Sequence, residues 1–133
     1  MNLRSIQFLN FLKNAANRNK EVIQLSYSKC VYRLVKVLYR AGYLQSYKFL
    51  SVKNHNSQVR KEILIYLRYY YDKSNLHNLQ VISSPSHSRF LDSRDILRIN
   101  EAKNTFFFST NKGILTGFEC KKQRIGGILF FVC

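Results

Sequence analysis

Apolar residues recur at helical spacing in two segments near the N-terminus. The first segment predicts a helix over residues 4–16, because its apolar positions lie three apart. These positions are Ile6, Leu9 and Leu12. The second segment predicts a helix between Ser28, a suitable N-cap, and Gly42, a residue that favours the position just past a helix end. Its apolar face holds Val31, Leu34, Val35 and Leu38.

Short segments rich in β-branched and aromatic residues predict strands around the second helix. They cover residues 22–25, 43–52 and 62–71, and a polar turn at 54–57 separates the last two. Together with the two helices, these strands predict an N-terminal domain over residues 1–73. Its element order is helix, strand, helix, strand, strand.

Residues 74–133 are predicted to form a second, mostly β domain. The expected strands are 79–82, 89–91, 106–108, 114–116 and 128–132. Residues 92–98 are predicted to form a helical turn, and residues 118–124 a charged connection. The inward-facing residues of the helical turn are expected to be Ile96, Leu97 and Ile99. The fold class is therefore α/β in the α+β sense, with two small domains.

The charge balance changes the functional picture. The chain has 133 residues with 22 Lys and Arg against 7 Asp and Glu, giving a formal net charge of +15. A domain this basic is expected to bind a polyanion, because neutralised phosphates release counterions. Nucleic acid is favoured over an anionic membrane surface. No stretch approaches the ~18 apolar residues of a membrane span, and we expect the folded part to begin at the N-terminus without a leader.

The supply of reactive residues argues against catalysis. The seven carboxylates form no close pair of the kind that acid–base chemistry uses, and no phosphate-binding or nucleophile motif is present. Cys30, Cys120 and Cys133 contain no CxxC pair, which indicates reduced thiols and no zinc site. We therefore expect no enzyme activity, no metal, no cofactor and no small-molecule substrate.

A polar segment between apolar strands is the best candidate for binding RNA. It consists of Ser109, Thr110, Asn111, Lys112 and Gly113. Hydroxyl, amide and ammonium groups at a strand end can reach phosphates, sugars and base edges, and a glycine permits close approach. The alternative is a polar hairpin turn that needs no ligand.

Other basic and aromatic residues extend the set of candidates. A basic cluster follows the polar segment, and two further lysines lie on the predicted N-terminal helices. These residues are Lys121, Lys122, Arg124, Lys13 and Lys29. The run Tyr69–Tyr71 could stack on bases. Because alternate residues of a strand face opposite sides, packing of at least one of these tyrosines in the core is favoured.

Residues 109–116 resemble the Ser-Thr-Ser-Lys-Gly-x-Met-Thr signature of a known family, the eighth protein of the small ribosomal subunit in its bacterial or organellar form. The pair Gly126-Gly127 stands at the distance that the family has before its last strand. Residues 83–86, with Pro85, resemble the family's Ser-Arg-Pro-Gly loop, and Phe90 is the aromatic residue five positions later.

This resemblance implies a two-domain α/β protein that binds small-subunit ribosomal RNA and supports assembly of the platform. It implies contact with a stem in the RNA's central domain and with neighbouring small-subunit proteins. Carried over by position, residues 109–113 contact the RNA, with the Pro85 loop and Phe90 nearby. The remaining alternatives are a free-standing basic RNA-binding chaperone and a scaffold whose aromatic surface binds proteins.

Departures from the family pattern bear on the origin of the chain. Asn111 replaces the third residue of the signature, and Ile128 stands where bacterial members have an acid. Phe, Tyr, Asn, Lys and Ile, which have AT-rich codons, are abundant. These features predict a mitochondrial member that acts in the matrix as part of the mitochondrial ribosome, with a gene that could lie in the organelle genome.

Overall fold

The computed structural model describes residues 2–133, and these residues form two compact units. One unit comprises residues 11–77, and the other comprises residues 78–133 together with residues 2–10. The first helix, α1 (Leu3–Asn17), therefore contributes to both units. The described residues contain four α-helices and two antiparallel sheets, which confirms the predicted α+β class.

The unit of residues 11–77 is a three-stranded sheet packed against helices. In chain order it contains β1 (Val22–Ser26), α2 (Lys29–Arg40), β2 (Leu44–Lys53) and β3 (Val59–Leu67). The strands are antiparallel in the order β1-β3-β2. Ile23, Ile65 and Tyr47 lie opposite one another in register, so they share one sheet face. On that face Ile23 and Ile65 are buried, and so is the apolar side of α2 predicted from its spacing.

The end of α2 shows how the sequence stops this helix. Gly42 has φ of +85°, and its backbone N–H donates to the Tyr39 carbonyl at 3.1 Å. The N–H of Tyr43 reaches back to the Leu38 carbonyl at 3.0 Å. These two bonds satisfy carbonyls that a helix end leaves without partners. At the other end, Ser28 is the N-cap as predicted, but its side chain forms no cap hydrogen bond.

The third strand of this unit differs from its predicted range of 62–71. It pairs with β2 as far as Leu67 and with β1 as far as Tyr66, so within residues 2–133 the residues that follow have no partner strand in this sheet. The chain instead reverses direction between Tyr70 and Lys73. Strand propensity in Tyr69–Tyr71 is overridden because the neighbouring strands have ended. The preference for core packing of these tyrosines is wrong, since none of the three is buried.

The second unit is built on a five-stranded sheet. In chain order its strands are β4 (Gln80–Val81), β5 (Arg89–Leu91), β6 (Phe106–Thr110), β7 (Gly113–Thr116) and β8 (Gly127–Val132). Strand β8 is central: β6 pairs along one edge, β4 and β5 pair along the other, and β7 pairs with β6. A short 3₁₀ helix (Asn75–Asn78) precedes β4. Phe107 and Phe131 stack with ring centroids 4.4 Å apart and are fully buried.

Two further helices cover part of this sheet's hydrophobic core. They are α3 (Ser93–Arg98) and α4 (Gly117–Gln123). The buried residues that pack together there are Ile96, Phe108, Leu115, Cys120 and Leu129. Ile96 and Ile99 lie three positions apart and both contribute, whereas Leu97 is 54% exposed. The expectation that Leu97 faces inward is wrong, because a helix this short buries a single face.

Helix α4 was predicted as a charged connection, and this was wrong. Thr116 begins the helix with a capping box: its hydroxyl accepts from the Glu119 N–H at 3.3 Å, and the Glu119 carboxylate accepts from the Thr116 N–H at 2.9 Å. Cys120 anchors the helix in the core. The signal was present in the sequence as Thr-x-x-Glu.

Replacing Thr116 with Ala should lower the free energy of unfolding by about 1 kcal/mol, the usual cost of losing an N-cap. Thr116→Ser keeps the hydroxyl and should retain most of the stability. Urea denaturation followed by circular dichroism measures both variants. Equal losses in the two would show that the methyl group, and not the cap, stabilises the site.

The two buried thiols should resist alkylation. Burial, followed by the nearby carboxylates of Glu119 and Glu101, raises the pKa of Cys120 to about 11, and burial raises that of Cys133 to about 12. Because the thiolate is the nucleophile, little reactive form exists at pH 8. In a Cys30→Ser variant, modification by iodoacetamide should be slow in buffer and fast in denaturant. Rapid labelling of the folded variant would contradict this environment.

Candidate nucleic-acid interface

The polar segment Ser109–Gly113 forms the tip of the hairpin between β6 and β7. Thr110 pairs with Gly113, which leaves Asn111 and Lys112 as the exposed turn. Gly113 has φ of +110°, a conformation that side chains disfavour. The predicted position of the polar segment between two strands is therefore confirmed, and this hairpin positions the candidate RNA-binding groups.

The hydroxyl of Thr110 is used inside the tip. It donates to the Gly113 carbonyl at 2.8 Å and accepts from the Lys112 N–H at 3.2 Å. Its donor is thus occupied, and one acceptor position is left. Within residues 2–133, the side chains of Ser109, Asn111 and Lys112 form no hydrogen bond or ion pair, so their polar groups remain available. Thr110 stabilises the conformation of the tip, and its neighbours supply the polar groups that can bind a ligand.

Strand register brings Phe90 beside the tip. Phe90 lies opposite Ile128 on one side of β8, and Ser109 lies opposite Ile128 on the other. Opposed residues point to the same face, so these three side chains form one row, with its ends about 10 Å apart by normal strand spacing. Phe90 is 68% exposed. An aromatic ring and a hydroxyl therefore flank a shallow depression of about 570 Å³.

Two consecutive glycines allow the strands that carry this row to approach one another closely. A Cβ on Gly127 would lie 2.8 Å from the Ser109 carbonyl oxygen, and one on Gly126 would lie 2.9 Å from the Leu91 carbonyl oxygen. Real Cβ atoms do not approach main-chain oxygens so closely, so β8 can begin between β5 and β6 only without side chains. The predicted Gly-Gly pair thus has a packing role.

Hydrogen bonds of a buried serine hold the loop that carries Pro85 against β8 and β5. The buried Ser83 hydroxyl donates to the Leu129 carbonyl and accepts from the Arg89 N–H at 3.2 Å. In the loop itself, the Ser84 and His87 backbones exchange hydrogen bonds of 2.9 and 3.1 Å. Pro85 stands exposed in the turn that these bonds close, and the loop leads into Arg89 and Phe90.

The basic candidates fall into different environments. Lys122 and Arg124 are exposed at the end of α4, and Arg124 directly precedes the residues that line the depression. Lys121 is engaged within the protein: its ammonium donates to the Ile99 carbonyl at 2.5 Å and lies 3.5 Å from the Glu101 carboxylate. Because its charge is already paired within the protein, Lys121 is less available to a phosphate than Lys122 and Arg124.

The two remaining lysines belong to the other unit. Lys13 lies on α1 and is half-buried, whereas Lys29 is exposed at the start of α2.

Two residues that line the depression, Ile125 and Asp92, were not predicted from the sequence. Asp92 caps α3 through its carboxylate, which accepts from the Ser93 N–H at 2.8 Å. An Asp before an apolar helical turn was the available signal.

Within residues 2–133, no group of three or more His, Cys, Asp or Glu side chains is arranged to hold a metal ion. None of the helices in that part of the chain has the length and apolarity needed to cross a lipid bilayer.

Comparison with known proteins gives a consistent similarity along almost the whole chain. A family model described as Ribosomal protein S8 matches residues 6–133. The small ribosomal subunit protein uS8 of Nautilia profundicola is 32% identical over 117 residues, which cover 87% of this chain and 86% of that protein. The protein of the same name from Flavobacterium psychrophilum is 32% identical over 124 residues, covering 90% and 89%. That of Campylobacter hominis is 29% identical over 117 residues, covering 87% and 86%.

Replacing Thr110 with Val should destabilise the hairpin by about 1 kcal/mol, because the Gly113 carbonyl and the Lys112 N–H lose their shared partner. Thr110→Ser preserves both bonds and serves as the matched control. Thermal unfolding and amide exchange of residues 110–113 measure the effect. Unchanged amide exchange in Thr110→Val would mean that the backbone hydrogen bonds between β6 and β7, and not the Thr110 hydroxyl, determine the conformation of the tip.

Proposed function

The chain belongs to the ribosomal protein S8 family, and on that premise we propose that Ser109–Gly113 is the tip with which it contacts ribosomal RNA. The protein is a structural constituent of the small ribosomal subunit. It binds small-subunit ribosomal RNA and neighbouring ribosomal proteins, and it has no catalytic role. Family membership confirms the resemblance found in the sequence and decides against a free-standing chaperone or an aromatic scaffold.

The row Phe90–Ile128–Ser109 beside the hairpin tip is the observation that carries the proposed interface. Double-stranded RNA presents 2′-hydroxyls and base edges in a wide, shallow minor groove. The free Ser109 hydroxyl and Asn111 amide can donate to or accept from such groups, because both residue types carry donors and acceptors. The exposed ring of Phe90 supplies a flat apolar contact for a ribose or an unpaired base.

Cations around this row supply the attraction that does not depend on sequence. Lys112 at the tip, with Lys122 and Arg124 at the C-terminal end of α4, would neutralise phosphates on the bound stem. Lys121 is omitted from this set, since Ile99 and Glu101 already hold its ammonium. The Pro85 loop directly precedes Arg89 and Phe90 in the chain, and it completes the proposed interface.

At the level of domains, we propose that residues 74–133 form the RNA-binding domain and residues 1–73 an accompanying α/β domain. Lys13 and Lys29 would add phosphate contacts from the latter. The RNA element we propose is a stem in the central domain of the small-subunit RNA, where the protein supports assembly of the platform.

We also propose a mitochondrial location, as part of the mitochondrial ribosome in the matrix. The support is compositional: residues with AT-rich codons are abundant, with ten Phe and nine Tyr in 133 residues. Ile128 gives further support. It replaces an acidic residue of bacterial members at the centre of the proposed interface, so the RNA it faces should differ from the bacterial stem. A gene in the organelle genome would account for the codon bias.

Replacing Lys112 with Ala should weaken binding to the cognate RNA stem. It should also reduce the slope of log affinity against log salt by about 0.9, the value of one phosphate contact on a duplex. Filter binding between 50 and 300 mM KCl measures both quantities. Lys103→Ala is the matched control, because Lys103 is exposed but precedes β6 at the end opposite the tip. An unchanged slope for Lys112→Ala, or an equal loss for Lys103→Ala, would contradict the proposed role of the tip.

A further inference from the structure

The tyrosine run after β3 is left unused by the proposed interface, and its geometry is unusual. The backbones of Tyr70 and Lys73 exchange hydrogen bonds of 2.8 and 3.1 Å, which closes a tight two-residue turn. The central residues Tyr71 and Asp72 have φ of +50° and +60°. Such turns favour Asn and Gly, and a bulky residue at positive φ is an outlier. The fold thus tolerates an unfavourable residue at position 71.

The same turn displays its aromatic rings to solvent. Tyr70 is 68% exposed and Tyr71 is 88% exposed, and their ring centroids lie 4.8 Å apart in an edge-to-face arrangement. Tyr69 behaves differently, since its hydroxyl donates to the Lys20 carbonyl at 2.5 Å and ties the turn to the chain after α1. The turn is therefore anchored at its base, while two rings project from its top. Neither ring packs in the core, and neither hydroxyl forms a hydrogen bond within the part of the chain that the structure describes.

A depression of about 310 Å³ lies within the same unit, and Tyr70 lines it together with two cations, Arg68 and Lys73. The Arg68 guanidinium donates to the Gly42 carbonyl at 3.4 Å, which fixes its position and leaves other N–H groups for a ligand. The Lys73 ammonium is exposed and forms no ion pair within residues 2–133. Asn75 adds an exposed amide, and the one carboxylate of the turn belongs to Asp72.

We propose that this depression is a second RNA site, which binds one unpaired nucleotide. The base stacks on the ring of Tyr70, against which Tyr71 packs edge-to-face, and the phosphate lies against Arg68 and Lys73. Flat rings beside cations match the two parts of a nucleotide, the base and the phosphate. An acidic peptide would use the cations but would leave the rings in water. The inference rests on the proposed function in that RNA is taken as the partner.

A photocrosslinking experiment tests the site directly on the full-length protein. The probe is a ten-nucleotide oligouridylate carrying one 5-iodouracil, a base that crosslinks to stacked aromatic side chains. Mass spectrometry should place the crosslink on Tyr70, the aromatic ring that lines the depression with the two cations. Crosslinks confined to Phe90 or to other aromatic residues would overturn the proposal.

A second arm measures affinity by fluorescence anisotropy with a labelled, unmodified oligouridylate. Tyr70→Ala removes the stacking ring at a position that is 68% exposed, so it should leave the unfolding midpoint nearly unchanged while weakening binding about fivefold or more. Tyr70→Phe keeps the ring and should bind like the parent. Lys73→Ala should lower the salt slope by about 0.7, one contact on a single strand, whereas the exposed Lys53→Ala should do so less.

Parallel titrations with the duplex stem separate the two proposals. If Tyr70→Ala leaves stem binding intact and loses the oligonucleotide, the second site is supported. If oligonucleotide affinity is unchanged in Tyr70→Ala, the second site is refuted and the rings are left for a protein partner, whatever happens to the stem. If Lys112→Ala leaves stem binding unchanged, the tip proposal fails by itself.

Discussion

The proposed interface depends on how closely three backbones meet at the start of β8. Gly127 faces the carbonyl oxygen of Ser109, and Gly126 faces that of Leu91, with no space for a methyl group at either position. Because the neighbouring atoms belong to the main chain, they cannot rotate away as a side chain could. This contact keeps β5 and β6 on the two sides of β8 and so aligns Phe90 with Ser109. A hydroxyl and an aromatic ring from distant parts of the sequence then share one surface.

Electrostatics sets a second constraint on the molecule. The net charge is +15, and within residues 2–133 ion pairing is confined to Lys121 and Glu101. Most cations are therefore compensated only by solvent and counterions, and their mutual repulsion opposes compaction. A bound polyanion removes this repulsion and releases its own counterions at the same time. The protein's composition is thus suited to a state in which RNA surrounds much of its surface.

The sequence predicted best the elements that their own residues determine. The apolar spacing of α2 and the glycine after it are local signals, and so is the polar tip between two strands. The extent of β3 could not be read this way, because it is set by where β1 and β2 stop pairing, and Tyr69–Tyr71 carry strong strand propensity. Helix α4 was readable from Thr116 and Glu119, but the basic residues around them obscured the capping box. Lys121 looked like its exposed neighbours until the fold placed a carbonyl and a carboxylate beside it.

The central position of β8 has a consequence for folding during synthesis. Strands β4, β5 and β6 all pair with residues 127–132, which the ribosome makes after every one of them. The sheet that carries the hairpin of β6 and β7 therefore cannot complete its pairing until this segment has left the exit tunnel. Strands β1, β2 and β3 depend on nothing made after residue 67, so their sheet can form earlier on the nascent chain. The late strand edges are the part of the chain most in need of protection from misassociation before translation ends.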